Sequence, residues 1–113
     1  MTWSPPWRLS GIGGAGPDAN ATYARARPLG KKLAAMIRAA KMQRKFLTAM
    51  EMVWNAESAG DRSYVGEDTA SEVLWDAGLT EEMWDTATAG WDYATKETFR
   101  RDVIGVVANE LGA

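Results

Sequence analysis

The sequence predicts an all-α protein: a small four-helix domain with one long amphipathic helix, preceded by an extended N-terminal arm. Three observations carry that prediction. Residues 31–59 contain no Gly or Pro and are rich in Ala, Met, Lys and Arg, which are good helix formers. Helix start and stop signals recur through residues 69–112. All four prolines fall before residue 31, together with the glycine run GIGGAG. The expected division is therefore an arm over residues 1–30 and a helical domain over residues 31–113.

The arm is read from composition. Pro5, Pro6, Pro17, Pro28 and the glycines disfavour both helix interiors and central strands. A mere spacer has no use for the aromatic residues of WSPPWR. Trp3, Pro5, Pro6 and Trp7 suit docking onto a surface, because a polyproline II segment is already extended and costs little to order. The arm can serve a partner or fold back over its own core.

Helix one spans residues 31–59 and measures about 40 Å at roughly 1.5 Å per residue. Leu33, Met36, Ile37, Ala40, Leu47, Met50 and Trp54 share one stripe at helical spacing, and Lys31, Arg38, Lys41 and Lys45 lie opposite. Gly60 ends it. After a loop over residues 61–66, Thr69 and Glu72 form a capping box for a short helix from Ala70 to Ala77, which stops at Gly78. Thr80 caps a third helix, whose Glu81 and Glu82 complement the positive end of its dipole. A fourth runs from about Lys96 to Leu111, with Phe99, Val103, Val106 and Val107 on one side. Its β-branched VIGVV segment resembles a strand locally, but a lone strand has no partner here. The four tryptophans at 54, 75, 84 and 91 are expected to supply core volume to a small domain.

Charge is divided along the chain. Residues 1–50 carry nine Lys and Arg against one acid, Asp18, and residues 51–113 carry four basic residues against fourteen acids. The candidate basic face comprises Arg25, Arg27, Lys31, Lys32, Arg38, Lys41, Arg44 and Lys45. The candidate acidic face comprises Glu67, Asp68, Glu72, Glu81, Glu82 and Asp85. A near-neutral average made of opposed halves points to an interaction role, with a protein partner or between copies.

The absences narrow the chemistry. The chain has no Cys and no His, which removes disulfides, thiolate zinc sites, imidazole bases and the Ser-His-Asp triad. No catalytic residue, metal site or cofactor is expected. GIGGAG spells Gly-x-Gly-x-x-Gly through Gly11, Gly13 and Gly16, but WSPPWRLS cannot form the strand a dinucleotide fingerprint requires, and no acid follows Asp18 before Glu51. It reads as a joint. The helix–Gly–helix outline of residues 69–87 is no DNA reader, since Glu81, Glu82 and Asp85 would face phosphates. The expected function is thus a non-enzymatic interaction or assembly protein, in architecture like a subunit of a large (for example viral) particle. One alternative is a nucleic-acid-associated protein binding phosphates through the basic arm and helix; another is a small inhibitor using its acidic face. A basic amphipathic helix also suits an anionic membrane surface, but no segment is apolar enough to span a bilayer, so integral membrane association is not expected. With no secretory-signal pattern, the expected location is cytoplasmic or virion-associated.

Overall fold

In a computed structural model of the chain, residues 19–112 are described. They form five helices with no strand among them: α1 Ala19–Ala39, α2 Gln43–Ser58, α3 Tyr64–Ala77, α4 Glu81–Ala87 and α5 Tyr93–Glu110. The all-α class and the small helical domain are as the sequence predicts. The count rises to five because the long first helix is two.

α5 is the central element. Residues 102–108 are buried without interruption, so this stretch meets protein on every side. That explains the strand-like VIGVV: continuous burial favours an apolar residue at each position, whatever the period, except where a buried partner satisfies a polar one, as Thr22 does for Asp102. A helix keeps its backbone bonds internal, so it can occupy the centre without a pairing partner. α1 lies along α5 and forms the largest interface, and α2 pairs with α3 beside them. Phe46, Phe99, Leu33, Ile37, Met50 and Leu74 are the largest apolar side chains fully buried in the core.

The chain becomes helical at Ala19, not near residue 31, and Pro28 lies inside α1. Composition alone places Pro28 in the arm, because an interior proline costs roughly 3 kcal/mol. Two features offset that cost. Pro28 and Ala24, whose carbonyl loses its bond, are both solvent-exposed. The opposite side of the same turns is buried through Thr22, Ala26 and Gly30. The Thr22 hydroxyl donates to Asp102 Oδ2 at 3.0 Å, tying the first turn of α1 to α5. Gly30 permits the close approach, since a Cβ there would stand 2.5 Å from Val106 Cγ1.

The helix expected over residues 31–59 breaks at residues 40–42. Lys41 adopts φ 57°, its N–H donates to the Arg38 carbonyl at 3.1 Å, and the Met42 N–H donates to the Ile37 carbonyl at 3.0 Å. Paired bonds of this kind around one left-handed residue make a Schellman cap. The same pattern ends α2 at Gly60 and α3 at Gly78. There the sequence announces it with glycine; here a lysine hides it. Met42 packs against the core beside Ile37, which gives the turn its apolar clasp.

α3 also starts earlier than expected. Ser63 is its N-cap, accepting from the Gly66 N–H at 3.0 Å, whereas Thr69 sits inside the helix and donates to the Val65 carbonyl. The Thr69–Glu72 capping box therefore does not form. Thr80 does cap α4, accepting from the Met83 N–H at 3.2 Å. α4 has no fully buried residue; Trp84 holds it by packing on Phe99, 5.3 Å between ring centroids, with Trp91 at the same distance on another side. The tryptophans border the core rather than fill it: Trp54, Trp84 and Trp91 are half-buried and Trp75 is exposed. Bulky indoles suit that rim, where the ring packs and the N–H can reach a polar group.

Candidate functional site

The basic residues separate into three groups. Arg25 and Lys32 face α4 across a groove of about 740 Å³ whose apolar lining includes Pro28, Leu29, Met83 and Ala87. Arg25 is held there, its guanidinium 4.3 Å above the Trp91 ring and within 3.4 Å of the Ala87 carbonyl. Arg27, Lys31 and Arg38 are exposed along the other border of α1, where Arg38 donates to the Glu110 carbonyl at the end of α5. Lys41, Arg44 and Lys45 crowd the corner where α1 turns into α2. With Thr48, Met52 and Thr69 they line a groove of about 480 Å³ that no carboxylate enters. The break at Lys41 thus turns one expected stripe into a separate cationic corner.

The acidic residues are redistributed as well. Glu67 is not at the surface: it is 1% exposed and accepts two bonds from Arg62, at 2.7 and 2.9 Å, with Arg101 at 3.4 Å. This carboxylate joins the loop before α3 to α5. Burial works against the charge on Arg62, but its bond and charge pairing with Glu67 outweigh that, so its proton affinity is raised. The Arg62 guanidinium also lies 4.2 Å from the centre of the Tyr64 ring. Glu81, Glu82 and Asp85 are exposed on α4, and Glu82 belongs to the groove facing α1.

Asp68 and Glu72 instead meet Glu97 in a groove of about 620 Å³ between α3 and the first turns of α5. Its aromatic walls are Tyr64, Trp75 and Tyr93, respectively 60, 40 and 78% exposed. Arg100 crosses the floor, bonding Asp68 at 3.0 Å, Ser71 at 3.3 Å and Glu97 at 3.4 Å. Two of the three carboxylates share this one guanidinium and Glu72 takes no part, so the groove keeps a negative excess. The remaining exposed large apolar residues among those described are Val65 on α3 and Met52 in the cationic groove. Exposed apolar surface is therefore concentrated around α3, with the acidic groove on one flank and the cationic groove on the other.

Sequence reasoning misses Tyr64, Trp75, Tyr93 and Glu97. The signal was present: with Ser63 recognised as the cap, residues 64, 68, 72 and 75 fall on one helix face at spacings of three and four. Trp3, Pro5, Pro6 and Trp7 lie outside the described residues. Among the described residues no cluster of three acids is placed to hold a metal ion, and no helix is long and apolar enough to cross a membrane. Compared with known proteins, the chain matches no family model, no curated protein and no solved structure.

Proposed function

We propose that this is a non-enzymatic interaction protein, a structural subunit that assembles with a protein partner or with its own copies. The observation that carries this reading is the segregation of surface charge and exposed aromatic area around α3. Solvated charges on a non-binding surface are ordinarily intermixed and exposed apolar residues scattered. Here three cations face one groove without a carboxylate, while three carboxylates and three rings, with Arg100 bonding two of the carboxylates, face another. The N-terminal arm, with Trp3, Pro5, Pro6 and Trp7, supplies a second docking element in this reading.

The test compares the full chain with a fragment that starts at Ala19, the first residue of α1. Sedimentation velocity of both, with circular dichroism to verify that the fragment stays helical, is expected to show assembly of the full chain that the fragment, which keeps both grooves but lacks the arm, retains in weakened form. A full chain that is monomeric at all concentrations and captures no protein partner would overturn the proposal. A second reading, association with nucleic acid, is favoured by the exposed cations Arg27, Lys31, Lys41, Arg44 and Lys45. It predicts tight binding to unrelated DNA or RNA with a steep salt dependence, lost on charge reversal at Arg38, Lys41 and Lys45.

A further inference from the structure

We infer that the aromatic, acidic groove between α3 and α5 is the receptor for the cationic α1–α2 corner of a second copy, giving head-to-tail association. The inference rests on the assembly reading and names its contact.

The two surfaces match in chemistry. The groove offers the rings of Trp75 and Tyr93, the ring of Tyr64 against which Arg62 already stacks, and the carboxylates of Asp68, Glu72 and Glu97, two of which Arg100 bonds. Rings flanked by carboxylates favour a cationic guest, because the ring face and the carboxylate attract the same charge. The corner presents such a guest. Residues 39–41 and 43–45 are all solvent-exposed, and they carry Lys41, Arg44 and Lys45. The fold already stacks guanidinium groups on its own rings, Arg25 on Trp91 and Arg62 on Tyr64. Glu72, which does not share the Arg100 bonds, remains for an incoming cation.

The corner cannot enter the groove of its own chain. Both are built on one domain: α2 packs on α3, the cationic groove lies between them with Met52 and Thr69 in its lining, and the acidic groove opens instead between α3 and α5. A second copy is required. Because corner and groove are different surfaces, the contact is heterologous, and each bound copy leaves one corner and one groove free. Such a contact yields a ring or an open chain rather than a closed two-fold dimer.

The experiment uses two full-length variants. One removes the guest: Lys41→Ala with Arg44→Ala and Lys45→Ala. The other removes solvent-exposed receptor groups: Glu72→Ala with Tyr93→Ala. Circular dichroism and thermal unfolding verify that both fold. Sedimentation velocity at about 20 mM and about 500 mM salt, roughly 20 Å and 4 Å of screening length, reads association. Expected are salt-sensitive assembly of the unmodified chain and at least about tenfold weaker self-association of either variant, or about 1.4 kcal/mol. Mixed together, the variants are expected to form a discrete one-to-one dimer, since one intact corner meets one intact groove and growth then stops.

Three results would overturn the inference. Variants that assemble like the unmodified chain would remove this contact while leaving the assembly reading intact. A mixture that fails to recombine would exclude a heterologous contact. Inhibition of assembly by a peptide of residues 1–10 that binds the groove would make the arm its occupant instead.

Discussion

Replacing Lys41 by glycine is expected to stabilise the protein, although glycine in a helix ordinarily does the opposite. Lys41 stands at φ 57° in the cap that ends α1. A residue with a Cβ in the left-handed region carries roughly 1–2 kcal/mol of strain, and glycine carries none. Glycine's greater freedom in the unfolded chain takes back roughly 0.5–1 kcal/mol. The net gain is about 0.5–1 kcal/mol, which for a domain of this size raises Tm by about 3–6 °C. Thermal and urea unfolding followed by circular dichroism measures it, and the urea m-value is expected to stay constant. Ala35→Gly is the control: Ala35 is exposed in the interior of α1, where glycine costs about 1 kcal/mol. If Lys41→Gly destabilises as much as Ala35→Gly, the helix runs unbroken through residue 41 and the separate cationic corner does not exist.

The other predictions concern the fold that holds the two grooves in place. Gly30→Ala places a Cβ 2.5 Å from Val106 Cγ1 and 2.7 Å from Val106 Cβ, so stability is expected to fall by about 1–3 kcal/mol in urea unfolding, with partial recovery on adding Val106→Ala. Glu67→Ala removes the buried carboxylate that accepts from Arg62 and pairs in charge with Arg101, and is expected to cost about 2–4 kcal/mol. Glu67→Gln should fall between, because its carbonyl still accepts one bond from Arg62. Asp92 caps α5, and hydrogen bonds from the Thr95 side chain and then from the Thr95 backbone hold its carboxyl below the usual range. A lowered carboxyl stabilises the fold fully above the unfolded value of about 3.9 and loses that contribution as pH falls through its lower folded value. Acid unfolding of Asp92→Asn should lack this component while the variant, still capped, keeps its helix at neutral pH.

How much of the molecule is legible in the sequence depends on whether the deciding interaction is local. Thr80 and Gly78 act within one turn of chain, and both do what their residue types predict. Leu33, Ile37 and Met50 are buried as the apolar stripe requires, whereas Ala40, placed on the same stripe, is exposed at the break. The start of α1 is not legible, because the tolerance of Pro28 depends in part on contacts with α5, some 80 residues away, such as Thr22 with Asp102. The start of α3 was legible in principle at Ser63 but competed with the stronger-looking Thr69–Glu72 pair. What decides between them is Glu67, whose burial against Arg62 and Arg101 requires the helix to have begun before it.

The candidate surfaces divide in the same way. The opposed charges of the two halves are a property of the sequence alone, and so are the missing Cys and His. Which charges act together is not. Burial consumes Glu67, Trp91 takes Arg25 and the end of α5 takes Arg38, so the faces read from charge alone lose members to the fold. Tyr93 and Glu97 reach Asp68 and Glu72 only because α5 passes beside α3. The sequence by itself determined the helical class, the apolar stripes and the turns that glycine or threonine marks, since these rest on forces between residues a few positions apart. Tertiary structure alone decided where Lys41 turns the chain and which side chains form a groove. At those points the local preferences are weaker than the burial and pairing that distant segments provide.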